Sequence, residues 1–239
     1  MATASADTAG APAAGSAGTE RGWLGRLYGS AIGKKVAMAL TGVILVGFIA
    51  GHMSGNLLAF RGAESLNQYA HFLQSSLPLL WTVRIVVLLS VLIHVHAAFS
   101  LTRAARAARP SRYAVAVRQS STWSGRLMRI GGVLLLVFLV FHILHFTTGT
   151  VLASRFVKGD VYGNVVRSFS LAPVAWFYAL AMLALALHLR HGVWSLFQTL
   201  GVVHPHVGAL RRGLAWVLAI AIPIGFVAVP LGVVLGLLS

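Results

Sequence analysis

The sequence predicts an all-α integral membrane protein, a bundle of five transmembrane helices. Hydrophobic residues make up 58% of the 239 residues and charged residues only 10%, which is the composition of a membrane protein rather than of a water-soluble domain. Five long apolar stretches can each cross a bilayer as a helix. They leave no room for a sizeable soluble domain, so we expect any soluble chemistry to belong to partner chains.

The predicted spans are residues 36–60, about 79–102, 130–154, 168 to about 200, and 213–239. Pro173 favours a helix start, whereas Pro223 and Pro230 should bend the last helix without ending it, because surrounding protein can satisfy the freed carbonyls. Residues 1–20 are rich in Ala, Gly, Ser and Thr and lack the basic start and apolar core of a signal peptide. We expect a disordered tail at 1–20 and a single transmembrane domain at 21–239.

Basic residues predict the orientation of the bundle. They cluster before the first span and between the second and third spans, and the opposite face carries fewer cations together with Glu64 and Asp160. The positive-inside rule therefore predicts a cytoplasmic N-terminus and an outside C-terminus, in the cell inner (cytoplasmic) membrane. The same rule accounts for most of the net charge of +15, so the charge indicates anionic lipid and an acidic docked subunit as partners, and no nucleic acid.

Histidine is the residue type that indicates function. Four of the five spans carry it deep inside: His52; His94 and His96; His142 and His145; His188 and His191. An imidazole in hydrocarbon is costly unless its nitrogens are occupied, and bis-histidine ligation of haem b explains all four spans at once. Cysteine is absent, which excludes disulfides, thiolate-bound clusters and covalent c-type haem, so the haem would be held non-covalently.

The depths of the histidines predict two haem levels. At about 1.5 Å per residue, His52 and His142 fall in the outer half of the membrane, whereas His94 and His188 fall in the inner half. Two levels with two helices each are what two stacked haems need. We therefore predict two haem b groups, one held by His52 with His142 and the other by His94 with His188.

Three more histidines lie inside the spans beside these four. His94 and His96 are about 200° apart around a helix, so at most one of them faces a given haem; small-residue space near Ala98 favours His94, but the choice stays open. His145 and His191 lie one turn after His142 and His188, and we interpret them as groups beside the ligands that face a haem propionate or the quinone. Arg84 and Arg190 are further candidates to pair with propionates.

The same histidines fit other functions. A histidine inside a membrane can simply hydrogen-bond a neighbouring helix. A haem b anchor of a hydrogenase or formate dehydrogenase, a haem-free transporter and an anchor without haem are the alternatives that we keep. A transporter would bind no stoichiometric chromophore and usually shows inverted repeats or broken helices, which this sequence does not.

Three segments carry a resemblance to a known family: Gly-His-Met-Ser-Gly-Asn at 51–56, Arg-Gly-Ala-Glu-Ser-Leu-Asn-Gln-Tyr-Ala-His-Phe at 61–72, and His-Leu-Arg-His-Gly-Val-Trp-Ser at 188–195. Over about residues 34–200 the chain resembles the di-haem cytochrome b558 membrane-anchor subunits of succinate dehydrogenase and menaquinol:fumarate reductase. The resemblance implies ligands on the first four helices and none on the fifth. One position departs from some di-haem members, because Ala186 stands where they carry a glutamate implicated in moving protons.

The resemblance also implies partners and a role in respiratory complex II, which serves the tricarboxylic acid cycle. A flavoprotein subunit would oxidise succinate, an iron-sulfur subunit would carry the electrons, and this chain would deliver them to quinone, typically menaquinone, with no dicarboxylate chemistry of its own. The iron-sulfur subunit should dock on the cytoplasmic face, around 30–35 and 103–129. Polar groups near the membrane surfaces are candidates for quinone binding: Ser30, Lys34 and Lys35 inside, and Tyr69 and His71 outside.

Overall fold

The structure is a computed structural model that describes residues 22–108 and 123–239, so the predicted tail at 1–20 lies outside the described residues. All secondary structure in the described residues is helical. The five long helices are α2 (Ala31–Asn56), α4 (Leu77–Ala107), α5 (Trp123–His142), α7 (Ala172–Thr199) and α8 (Gly208–Val234). Five helical segments that overlap them are long and apolar enough to cross a membrane, which confirms the predicted five-helix membrane fold.

Three short helices were not predicted: one precedes the first long helix, and two lie between long helices. They are α1 (Trp23–Gly29), α3 (Ala63–Ser75) and α6 (Val161–Phe169). Most of the segment 61–72 forms helix α3, which the chain enters through a 3-10 turn at Leu57–Arg61. The turn ends at Gly62, whose φ of +95° lies in the region that favours glycine, and this residue lets the chain reverse into α3.

Several predicted span boundaries were wrong. The third span does not continue as a helix to residue 154: α5 ends at His142 and is followed by a single π-helical turn, Ile143–Thr147. The fourth helix begins at Ala172 rather than at 168, because residues 161–169 form the separate helix α6 and Pro173 lies in the first turn of α7, where its missing N–H has no cost. The last helix begins at Gly208 and ends at Val234.

The last helix continues past its prolines, as predicted, and the predicted bend stays a prediction. Pro223 and Pro230 lie inside α8, which continues through both of them. Both are buried, so neighbouring protein surrounds the backbone where each proline removes a hydrogen bond.

The long helices pack in a definite order. The most extensive helix contacts are between α7 and α8, between α2 and α4, and between α5 and α7. The buried core is small and is built largely from alanine, valine and a few aromatic residues. Large apolar side chains such as Trp176, Leu180 and Leu88 point outward, at 75%, 64% and 57% exposure, as expected for helices that face lipid or partner subunits.

Candidate functional site

The structure brings the intramembrane histidines together in two pairs. The ring centroids of His52 on α2 and His142 on α5 are 5.8 Å apart. Those of His94 on α4 and His188 on α7 are 6.2 Å apart. We call these the outer pair and the inner pair, after the orientation predicted from the basic loops. The helix α2 packs on α4, and α5 packs on α7. Each histidine pair therefore connects one helix of the first packed pair with one helix of the second.

The two pairs lie at different depths. On α2, Thr41 lies at the level of the inner pair, because its hydroxyl is 3.3 Å from Nδ1 of His94. His52 lies eleven residues later on the same helix, or about 16 Å along its axis. On α7, Tyr178 contacts His142, and His188 lies ten residues later, or about 15 Å. Two helices thus give the same separation between the levels.

The spacing within each pair fits a bis-imidazole metal centre. A metal–nitrogen bond of about 2 Å on each side, with about 1 Å from each nitrogen to its ring centre, puts the two centroids about 6 Å apart. In the described residues, no group of three or more His, Cys, Asp or Glu side chains could hold a metal ion. Haem iron needs only two protein ligands, because the porphyrin supplies the other four.

Hydrogen bonds at the inner pair distinguish His94 from His96. Nδ1–H of His94 donates to the backbone carbonyl of Met38 at 3.1 Å, so the Nε2 lone pair is left for a metal. His96 instead places Nδ1 2.7 Å from the hydroxyl of Tyr28, against whose ring it stacks, on an exposed surface near α1. Nε2 of His94 thus takes no part in this hydrogen bond, whereas His96 links α4 to Tyr28 of α1.

His188, the other member of the inner pair, has one ring nitrogen that is buried without a hydrogen-bond partner among the described residues. Nδ1 of His188 is buried and has no hydrogen-bond partner within the described part of the chain. A buried polar atom without a partner is costly, and such atoms are concentrated at cofactor and catalytic sites. His191, one turn later on α7, is half-buried, and Arg190 is exposed and lies over the ring of Trp216, 4.3 Å from its centroid.

Near the outer pair, both ring nitrogens of His145 are hydrogen-bonded. His145 is 2% exposed, with Nδ1 3.0 Å from the Tyr178 hydroxyl and Nε2 2.9 Å from the Ser168 hydroxyl. No nitrogen of His145 is left for a metal. His142 has Nδ1 3.4 Å from the same Tyr178 hydroxyl, which leaves its Nε2 available.

Aromatic rings enclose the outer pair. His52 stacks on Phe48 and contacts Phe226 of α8, with centroid distances of 5.6 and 5.7 Å. Phe138 and Phe146, four residues before and after His142, both lie 5.8 Å from it. This apolar surround excludes water from the imidazoles, a condition that favours retention of a haem.

Three further site candidates lie near the surface that is predicted to be the inner one. Ser30 caps α2: its hydroxyl accepts from the N–H of Gly33 at 2.9 Å and donates to the carbonyl of Leu27 at 2.7 Å. Both hydrogen-bonding functions of Ser30 are therefore used in the corner between α1 and α2. Lys34 is half-buried and Lys35 is exposed in the first turns of α2.

The outer candidates all lie on or near α3. The ring of Tyr69 packs against Gly55 of α2 so closely that a Cβ atom at residue 55 would lie 2.6 Å from it. His71 is exposed on α3, and Arg84 is exposed near the start of α4, with its guanidinium 5.3 Å from the Trp81 ring. Among the described residues, no hydrogen bond or ring contact joins these three to either histidine pair, and their binding roles stay predictions.

Sequence reasoning missed several residues of the site. Tyr178 and Ser168 contact the outer histidines, and Met38 and Tyr28 contact His94 and His96. Tyr178 had a usable signal, because it is a polar aromatic residue inside an apolar span, ten residues before His188 and so at the level of the outer pair. The backbone carbonyl of Met38 leaves no trace in a sequence.

The chain is similar to membrane subunits of succinate dehydrogenase and fumarate reductase. The family model for the succinate dehydrogenase/fumarate reductase transmembrane subunit matches residues 102–227. The succinate dehydrogenase cytochrome b558 subunit of Bacillus subtilis (strain 168) is 30% identical over 165 residues, which cover 69% of this chain and 77% of that protein. No solved structure matches the chain.

Proposed function

Because the chain belongs to the family of succinate dehydrogenase and fumarate reductase transmembrane subunits, we propose that it is a di-haem b anchor that passes electrons between an iron-sulfur subunit and membrane quinone. The single observation that carries the proposal is the meeting of four histidines in two pairs, with ring centroids 5.8 and 6.2 Å apart. Bound haem b would supply one-electron transfer by cycling its iron between the ferric and ferrous states.

The residues proposed to hold the two haems are the four paired histidines. His52 and His142 would hold the outer haem, and His94 and His188 the inner one. The Met38 carbonyl and the Tyr178 hydroxyl would fix the rings of His94 and His142, so that Nε2 of each is directed away from its hydrogen bond. His96, His145 and His191 act beside these ligands rather than as ligands.

The partners follow from the same family membership. The flavoprotein and iron-sulfur subunits would lie on the predicted cytoplasmic side, where residues 21–35 and 103–129 together carry eleven of the 19 Lys and Arg residues. The quinone would be menaquinone, bound from the membrane near one of the two surfaces. The chain would carry electrons only, and succinate would react on the flavoprotein subunit.

The first test is a count of haem in the purified native complex. A pyridine haemochrome assay with a reduced-minus-oxidised spectrum should give two haem b per chain. One haem per chain would mean that one histidine pair is misassigned. No haem would contradict the proposal and favour a haem-free anchor or transporter.

Ligand replacement tests the pairing. His142→Ala and His188→Ala should each remove one of the two haems and leave the other spectrally intact, because the pairs lie about 15 Å apart along α7. His204→Ala is the matched control, since His204 lies outside the spans and stacks on His206. Retention of both haems in the His142 and His188 variants would contradict the ligand assignment.

A further inference from the structure

A chain of four polar groups runs from the outer pair towards α6. Nδ1 of His142 lies 3.4 Å from the hydroxyl of Tyr178, and that hydroxyl lies 3.0 Å from Nδ1 of His145. Nε2 of His145 lies 2.9 Å from the hydroxyl of Ser168. The four groups come from α5, the π-helical turn, α7 and α6, so the chain exists only in the folded bundle.

These groups are shielded from water. The exposed fractions are 7% for Tyr178, 2% for His145 and 4% for Ser168. Phe138 and Phe169 lie edge-on to the ring of Tyr178, each with centroids 5.0 Å away. Hydrogen bonds in such an apolar surround are electrostatically stronger than in water and polarise one another.

The number of protons fixes the direction of every bond in the chain. If Nε2 of His142 binds iron, its Nδ1 carries the proton and donates to the oxygen of Tyr178. The single hydroxyl proton of Tyr178 is then free to donate to Nδ1 of His145. Nε2–H of His145 donates in turn to Ser168, so each donor has one acceptor.

Among the described residues, the inner pair has no comparable series of hydrogen-bonded side chains. Nδ1–H of His94 donates to the backbone carbonyl of Met38, the nearby Thr41 hydroxyl donates only to backbone carbonyls of its own helix, and Nδ1 of His188 has no partner among the described residues. A series of polarised, hydrogen-bonded side chains therefore contacts the outer pair and not the inner pair.

We infer that Tyr178 and His145 are positioning residues that act through His142, fixing its tautomer and lowering the reduction potential of the haem bound by the outer pair. The inference rests on the proposed function. An acceptor on Nδ1–H raises the electron density that the imidazole gives to iron, which stabilises the ferric form relative to the ferrous form. The tyrosine acceptor is made stronger because its own proton is drawn towards His145.

The test is Tyr178→Phe in the complete complex, with Tyr162→Phe as the matched control. Tyr162 is also on the outer side, but its hydroxyl donates to the carbonyl of Ser239 and contacts neither pair. We expect two haems per chain in both variants. In Tyr178→Phe alone, a redox titration followed by absorbance should show one midpoint potential raised and the other unchanged, with a changed low-spin ferric electron paramagnetic resonance signal for the shifted haem.

A second variant covers failure of the first to assemble. Ser168→Ala removes only the last hydroxyl of the hydrogen-bonded series, the one farthest from His142. It should raise the same midpoint potential by a smaller amount. Two haems with unchanged potentials in these variants would overturn the inference and leave the proposed function standing. Absence of haem from the wild-type complex would overturn the proposed function itself.

Discussion

The two nitrogen atoms of each histidine decide whether it can serve as a ligand. His145 lies in the membrane next to a ligand candidate, yet both of its nitrogens are hydrogen-bonded to side chains of other helices. His94 has one nitrogen bonded to a backbone carbonyl and the other available. A buried histidine is thus a structural group or a candidate ligand according to its neighbours, not according to its depth.

Two neighbouring histidines test this argument at the level of single residues. His94→Ala should halve the haem content of the complex by removing the inner haem, whereas His96→Ala should keep both haems, because its ring points to Tyr28 and the surface. Haem per chain, measured by the haemochrome assay, decides between them. The reverse result would make His96 the ligand.

At the level of elements, short helices determine how the outer ends of the long helices meet. Asn67 on α3 accepts from the N–H of Tyr162 on α6 at 2.9 Å. Asp160 caps α6 by accepting from the N–H of Gly163 at 2.9 Å and pairs with Arg167 at 3.0 Å. This polar cap ties α3 and α6 together above the outer histidine pair.

The cap at Asp160 should make a pH-dependent contribution to stability. The hydrogen bond from the N–H of Gly163, followed by Arg167 and Asn67, holds the pKa of Asp160 below its usual value, against an opposing effect of partial burial. A lowered pKa means that the stabilisation is fully present above the ordinary pKa of about 4 and is lost as the pH falls through the lower folded value.

The matching variants are Asp160→Ala and Asp160→Asn. The alanine variant should lose about 1 kcal/mol of stability at pH 7, the usual cost of removing an N-cap, and the asparagine variant should lose less because an amide oxygen can still accept from Gly163. Thermal unfolding of the complex measures both. A difference between the wild type and the asparagine variant that does not shrink on acidification would contradict the assigned role of the charge.

At the level of the whole molecule, a small core holds together a surface that is largely apolar. The same helices that expose leucine, valine and tryptophan outward bring four histidines together in two pairs, whereas His96, Arg84 and Arg190 stay exposed. The helices that meet at each histidine pair are not the ones that pack most extensively. A group that bridges them would therefore stabilise the bundle as well as carry electrons.

The orientation of the bundle is a prediction from the basic loops, and the absence of cysteine makes it simple to test. Ala107 ends α4 on the predicted cytoplasmic side, and Gln74 lies on α3 on the predicted outer side, both exposed. In spheroplasts, a membrane-impermeant maleimide should label Gln74→Cys at once and Ala107→Cys only after permeabilisation. The opposite pattern would invert the proposed topology.

The sequence by itself determined the membrane fold, because apolar runs of this length have few other stable forms, and it determined that histidine is the polar residue type repeated inside the spans. Depth counted from helix rise also predicted which histidines lie near each other, since α-helices have a fixed pitch. The short helices α1, α3 and α6 and the π-helical turn were not predictable, because contacts between distant segments set where a helix ends. Only the tertiary structure decided which nitrogen of each histidine is available, since the Met38 carbonyl and the Tyr178 hydroxyl reach His94 and His142 from other helices.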